Sequence, residues 1–215
     1  MAAMQYDLYV ITDEAISGGR SHADIARQAV EGGADVIQLR DKAIGGRALL
    51  SAALGIREIT RQSGALFIVN DRLDIALASG ADGVHLGQDD MPASVVRQLA
   101  PPGFLIGVSV GSVAEALVAV SDGADYIAVS PVFPTPSKDD AARPAGLEGV
   151  KDIRHSVSLP LVAIGGIGLH NVAEVIGSGA DGIAVISAVV GKPDIASAAK
   201  ELKEAVSRAK EEGGP

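Results

Sequence analysis

Three polar side chains alternate along QLRDK: Gln38, Arg40 and Lys42. On an extended segment, side chains two apart point the same way, so these three share one side while Ile37 and Leu39 take the other. Two cations beside an amide donor suit a phosphate or pyrophosphate; a charged, solvated strand edge is the plainer alternative. FIVNDR and HLGQDD add Asn70, Asp71, Gln88, Asp89 and Asp90. One or two carboxylates beside substrate phosphates is the usual protein contribution to Mg²⁺ binding. Asp71 also precedes RLDIALASG and Asp90 precedes PASVVRQL, where each could cap a helix, and both readings stand at this point. A third set lies in SPVFPTPSKDD, whose polar, glycine-bearing stretch runs over residues 130–146. That is far longer than the roughly 2–6 residues of a strand-to-helix connection. Its Thr135, Ser137 and Lys138 can hydrogen-bond and charge-pair with phosphates. Finally, AIGGIG places Gly165, Gly166 and Gly168 where backbone can approach an anion, and Ser187 adds a hydroxyl.

The elements that must position these groups repeat. Gly-Ala-Asp occurs at 33–35, 80–82, 123–125 and 179–181, at intervals of 47, 43 and 56 residues, each about two strand–helix units. Each copy follows a helical pattern and precedes an apolar run, so the glycine reads as a left-handed helix end and Ala-Asp as the entry to a strand. Filling the alternate positions gives eight strands: LYVIT (8–12), DVIQL (35–39), LFIVN (66–70), GVHLG (83–87), FLIGVS (104–109), DYIAV (125–129), LVAIG (161–165) and GIAVIS (182–187). Amphipathic stretches lie between them, and the last helix is expected near 195–211. Strict alternation, eight times, points to a single closed parallel (β/α)8 barrel spanning residues 1–215, with an open doubly wound sheet as the alternative. In such a barrel the strand C-termini carry the chemistry, and the loops after strands 7 and 8 bind phosphate.

Composition narrows the partners. With 18 Lys+Arg against 27 Asp+Glu, the chain carries −9, the reverse of a nucleic-acid binder. Apolar runs are strand-length, short of the ~18 residues of a spanning helix, and no cation precedes Arg20, so a cytoplasmic location without membrane contact is expected. A homo-oligomer is compatible with this composition. The absence of cysteine excludes thiolate metal sites and cysteine nucleophiles. The four histidines show no HxH or HExxH spacing, and His85, inside a strand, reads as a satisfied structural residue. No Ser-His-Asp arrangement is legible.

QLRDK, FIVNDR, GVHLGQDD, GVS, VFPTPSK, AIGGI and AVIS, in this order over nearly the whole chain, resemble the thiamine phosphate synthase family. The resemblance implies a (β/α)8 barrel that joins 4-amino-2-methyl-5-hydroxymethylpyrimidine diphosphate to hydroxyethylthiazole phosphate, releasing pyrophosphate. It implies that Gln38, Arg40, Lys42, Asn70, Ser109 and Lys138 bind the pyrimidine diphosphate, with Arg40, Lys42, Ser109 and Lys138 the catalytic set. Asp71 and Asp90 would hold Mg²⁺, and Thr135, Ser137, Gly166, Ile186 and Ser187 would bind the thiazole phosphate. Two departures stand out: Gly111 replaces a histidine common in relatives, and Ser137 a threonine, which keeps the hydroxyl.

The implied chemistry is dissociative, with cations stabilising the departing pyrophosphate. It needs no protein nucleophile, in keeping with the missing triad. A thiazole tautomerase would need an acid–base group near the thiazole, yet residues 130–146 hold no histidine. A phosphate-ligand sensor would not need a carboxylate pair beside a cationic cluster.

Overall fold

The computed structural model describes residues 6–135 and 143–212. Among them, eight parallel strands close in sequence order: β1 (Leu8–Thr12), β2 (Val36–Leu39), β3 (Leu66–Asn70), β4 (Gly83–Leu86), β5 (Leu105–Val110), β6 (Tyr126–Val129), β7 (Leu161–Ile164) and β8 (Gly182–Val185). Pairing of β8 with β1 completes the (β/α)8 barrel and rules out an open sheet. The helices are α1 (His22–Glu31), α2 (Gly46–Ser63), α3 (Leu73–Ser79), α4 (Ala93–Leu99), α5 (Val113–Ser121), α6 (Gly146–Ser156), α7 (Val172–Gly177), α8 (Ser187–Val190) and α9 (Ile195–Glu212). Among the described residues no helix is long and apolar enough to cross a membrane.

Strand alternation splits the apolar residues into two cores. Ile37, Leu39, Phe67, Val69, Val84 and Leu86 face the helices. Tyr9, Val36, Ile68, Tyr126, Val162 and Ile164 fill the barrel. The expected parity of β2 therefore holds. Filling a barrel of this size requires large side chains opposite small ones. Gly107 of β5 is in register with Tyr126 of β6, and a Cβ on Gly107 would lie 2.0 Å from Tyr126 Cζ. Only glycine leaves room for that ring to cross the barrel.

The Gly-Ala-Asp repeat acquires a physical meaning here. Its glycines Gly33, Gly80, Gly123 and Gly179 all have positive φ, and its alanines are buried. Each aspartate then clasps one residue of the preceding strand at two points. Asp35 donates its backbone N–H to Leu8 O and accepts from Leu8 N–H on its carboxylate, both at 2.9 Å. Asp82 does the same with Phe67, at 2.8 and 2.8 Å, Asp125 with Ile106, at 2.8 and 2.7 Å, and Asp181 with Leu161, at 2.7 and 2.7 Å. A basic side chain covers each carboxylate: Lys203 of α9 for Asp35, Arg57 of α2 for Asp82, Arg97 of α4 for Asp125 and Arg154 of α6 for Asp181. Four even strands are thus stitched to the odd ones at the barrel base, each through a charge-assisted bond.

Several strands are shorter than the sequence suggests, for local reasons. Asp35 and Asp125 lie just outside β2 and β6 because their carboxylates serve the clasp. Gly165, at φ 106°, leaves the strand after Ile164. Ser187 opens α8 instead of closing β8. The connection between β6 and α6 spans 130–145, of which 136–142 lie outside the described residues.

Removing the acceptor in Asp125→Ala should cost about 2–3 kcal/mol, or roughly 5–10 °C of thermal midpoint for a chain this size. Asp125→Asn keeps one acceptor oxygen and should lose less. Asp181→Ala should lose less too, because that carboxylate is 50% exposed and screened. Calorimetry on the three variants checks the ranking; an Asp125→Ala midpoint within about 2 °C of wild type would mean that the Ile106 amide finds another partner.

Candidate active site

The groups picked out by spacing gather at the C-terminal ends of the strands, in two sets. In the first, Arg40 and Lys42 follow β2 on a turn organised by Asp41. Its Oδ1 accepts from the backbone N–H groups of Ala43 (2.8 Å) and Ile44 (3.2 Å). Its Oδ2 lies 3.2 Å from His22 Nε2, and His22 Nδ1 lies 2.8 Å from Thr12 Oγ1. Burial pushes the Asp41 carboxyl up, but the bonds from Ala43, His22 and Ile44 outweigh it and hold it below the ordinary value. Sequence reasoning gave no part to Asp41 and His22, which brace the turn that carries the two cations.

Asp71 follows β3 in the left-handed region, at φ 60°, the one described non-glycine residue with positive φ. Its N–H donates to His85 O at 2.8 Å, which holds the backbone there. Strain of this kind concentrates at functional sites. Asp90 bends back so that its Oδ2 accepts from Gly87 N–H at 2.7 Å. Neither aspartate caps a helix: Arg72 and Pro92 occupy those positions, without side-chain capping bonds. Instead the Asp71 carboxyl feels that of Asp90 directly. Burial first, then the hydrogen bond and charge of Asp90, push the Asp71 carboxyl up to about 6, against the pull of Lys42 and Arg40. Lys42 Nζ stands 3.7 Å from Asp71 Oδ2. Among the described residues no group of three or more His, Asp or Glu could hold a metal. Two adjoining carboxyl groups, that of Asp71 pushed up, fit a hard divalent cation whose other ligands come from bound oxyanions and water.

Gln38 departs from the expectation that it joins Arg40 and Lys42. It is 2% exposed, inside the barrel, and its Nε2 donates to Tyr9 Oη at 2.6 Å. Ser109 of β5 lies across the same interior, 2.9 Å from His85 Nε2. His85 is bonded on both ring nitrogens, as expected of a satisfied residue, the second contact being Tyr126 Oη at 3.0 Å. Asn70 ends β3, beside Asp71.

The second set lines a cavity of about 960 Å³ that includes Thr135, Gly166, Ile186 and Ser187. Loop and strand meet closely there. Val132 N–H donates to Ile164 O at 2.8 Å and Phe133 N–H to Gly165 O at 3.1 Å, prolonging the β6–β7 pairing into the loop. A Cβ on Gly166 would sit 2.8 Å from Phe133 Cβ and 2.9 Å from Pro134 O, so this glycine lets the two loops touch. Ile164 and Ala184 wall both this cavity and the small one beside Gln38 and Ser109, so the cavity adjoins the barrel interior. Ser137 and Lys138 lie outside the described residues.

Comparisons with known proteins agree with one another. The family model described as thiamine monophosphate synthase matches residues 8–189. A thiamine-phosphate synthase of Methanoculleus marisnigri is 64% identical over 98% of this chain and 100% of its own length. One from Methanoregula boonei is 63% identical over 97% of both. Among solved structures, a thiamine phosphate pyrophosphorylase from Pyrococcus furiosus superimposes with a TM-score of 0.89 at 46% identity, over 96% of this chain and 98% of the other.

The carboxylate pair makes a pH prediction. Unfolded, Asp71 titrates near 3.8; folded, near 6. The native state therefore binds the extra proton between those values, so this contribution to stability is complete below about pH 4 and is lost as pH rises through about 6. The midpoint of wild type minus that of Asp71→Asn should fall between pH 4.5 and 7.5. Millimolar Mg²⁺ at pH 7.5 should raise it again. Thermal melts at both pH values, with and without Mg²⁺, decide; a difference independent of pH would remove the repelling pair.

Proposed function

The chain belongs to the thiamine-phosphate synthase family and is an enzyme of that class, and we propose that it joins an aminopyrimidine diphosphate to a thiazole phosphate by dissociative loss of pyrophosphate. The observation that carries this reading is the juxtaposition at the barrel mouth. An anion-seeking set (Arg40, Lys42) adjoins a cation-seeking pair (Asp71, Asp90). A roomy cavity with Thr135, Gly166, Ile186 and Ser187 on its lining shares Ile164 and Ala184 with the small cavity beside Gln38 and Ser109. Two phosphorylated substrates that must meet need two such neighbouring sites.

In the proposed reaction the C–O bond between the pyrimidine methylene and the diphosphate breaks, and its electron pair leaves with pyrophosphate. The aminopyrimidine ring delocalises the resulting cation. The lone pair of the thiazole nitrogen then forms the new C–N bond, leaving the positive charge on the thiazolium. No proton moves and no enzyme nucleophile is consumed. Arg40, Lys42 and Lys138 stabilise the charge that grows on the leaving group, which is where fixed cations are most effective. Gln38, Asn70 and Ser109 orient the pyrimidine; Thr135, Ser137, Gly166, Ile186 and Ser187 hold the thiazole phosphate. Asp71 and Asp90 would hold Mg²⁺, which when bound neutralises diphosphate charge. Holding reactants this way converts a bimolecular step into a local one.

Pyrophosphate release with both substrates tests the reading. It should require both and Mg²⁺, and chelation should stop it. Asp71→Asn and Asp90→Asn should each lower turnover by about 100-fold or more, although asparagine tolerates the same backbone conformation. Lys138→Ala should slow the single-turnover step by at least about tenfold, with a smaller effect on pyrimidine diphosphate binding. Pyrophosphate released equally well without the thiazole phosphate, or at wild-type rates in both aspartate variants, would defeat the proposal.

A further inference from the structure

The barrel interior holds a continuous hydrogen-bonded chain: Gln38 Nε2 to Tyr9 Oη, 2.6 Å; Tyr9 Oη to Tyr126 Oη, 3.0 Å; Tyr126 Oη to His85 Nδ1, 3.0 Å; His85 Nε2 to Ser109 Oγ, 2.9 Å. It runs from β2 through β1, β6 and β4 to β5. Tyr9 and Tyr126 are at most 2% exposed and His85 7%. Burial is the main cause that pushes both phenols well above the ordinary tyrosine value, so they remain neutral hydroxyls. The room for this chain is built into the backbone, since a Cβ on Gly107 would lie 2.3 Å from Tyr126 Oη. Both ends of the chain, Gln38 and Ser109, line one small cavity of about 10 Å³ with Ile11, Ala128 and Ile164. That is room for about one water, or for the edge substituent of a ring seated above it.

Such a chain has a direction. Each interior hydroxyl donates once and accepts from its neighbour, and a neutral imidazole donates at one nitrogen and accepts at the other. With Gln38 donating into the chain, each link passes its proton onward, His85 Nε2–H donates to Ser109 Oγ, and the Ser109 hydroxyl hydrogen is left to point at a ligand. The Gln38 amide oxygen is then the acceptor left at the other end. The structure has Gln38 Nε2 donating to Tyr9 Oη, which sets this direction; the opposite one requires the amide to turn over and reverses both ends together. One end is always a donor and the other an acceptor.

We propose that Tyr9, Tyr126 and His85 are positioning residues that lock Gln38 as acceptor and Ser109 as donor, and so select a heteroaromatic ring bearing an amino group beside a ring nitrogen over its oxo counterpart. The inference rests on the pyrimidine reading above, and it concerns residues to which that reading gives no part. An amino N–H would meet Gln38 Oε1, and the adjacent ring nitrogen would meet the Ser109 hydroxyl. The 4-oxo ring presents the opposite pattern, so it requires every link to flip. Breaking one link frees each end to reorient alone, and the selectivity should collapse.

The experiment compares binding of 4-amino-2-methyl-5-hydroxymethylpyrimidine diphosphate and its 4-oxo analogue by calorimetry. Proteins are wild type, Tyr126→Phe and Tyr9→Phe, which keep the rings that fill the barrel. Wild type should prefer the amino compound by about 30-fold or more, as sites built to hydrogen-bond do. In either variant the ratio should fall below about fivefold, while the KM for the thiazole phosphate stays within about twofold. A merely structural role would weaken both pyrimidines alike and leave the ratio intact. Pyrophosphate release by wild type is measured on the same preparation. Its absence would sink the function reading and this inference with it. Normal release with an unchanged amino-to-oxo ratio in the folded variants, or no preference in wild type, would overturn the chain's role alone. If one variant fails to fold, the other decides.

Discussion

Each even strand enters this barrel through an aspartate that holds the strand before it by backbone and side chain at once. A parallel barrel needs such a device, because its strands are never joined by a tight hairpin and the register between neighbours must be set some other way. The carboxylate supplies an acceptor for an amide at the edge of the sheet, where the ladder would otherwise run out, and a helix-borne lysine or arginine neutralises it. Sheet, register and outer helix layer are fixed together at one end. With Asp35, Asp82, Asp125 and Asp181 securing the base, the opposite end can carry charges that do nothing for stability.

The mouth shows that division. Asp71 is held at a positive φ beside a second carboxylate, an arrangement a stability-driven sequence would avoid. Between base and mouth lies a polar interior unusual for a packed barrel, in which two tyrosines, a histidine, a glutamine and a serine satisfy one another. Buried polar groups are tolerable only when all are paired. The pairing here has a geometric condition, the missing Cβ of Gly107, so one side-chain carbon's absence on β5 determines whether Gln38 on β2 has a fixed amide.

The architecture was legible because alternation of strand and helix, and the fourfold Gly-Ala-Asp, are one-dimensional signals. The parity of β2 was legible for the same reason. What escaped was pairing across the barrel. Tyr9 and Tyr126 sit 117 residues apart and read as two more apolar strand residues; nothing in YIAV announces that the phenol reaches His85. Parity places Gln38 beside Arg40, yet it lies deeper along the strand, where its Nε2 donates to the Tyr9 hydroxyl. The helix-cap alternative for Asp71 and Asp90 failed because each chain turns before the helix begins, leaving Arg72 and Pro92 at the cap. Asp41 was hidden between two more conspicuous cations. For the interior chain the deciding distances run between strands, and for Asp41 and Asp90 they lie within irregular turns; neither has a periodicity to reveal it.

On the proposed function, an acidic chain that handles diphosphates must solve an electrostatic problem locally. Around Asp71 the fixed charges nearly cancel: two carboxyl groups against Arg40 and Lys42. A diphosphate arriving alone would be drawn to the cations but repelled by the carboxylates. A divalent cation arriving alone would relieve the carboxylates and repel Arg40 and Lys42. Only the two together leave every charge with a partner. On the function proposed here, binding of metal and diphosphate is therefore coupled, and by linkage each must strengthen the other by the same factor. The raised pKa of Asp71 is the same coupling seen with a proton in place of the metal: the pair takes up whatever positive charge is offered, because the fold has brought its carboxylates into contact.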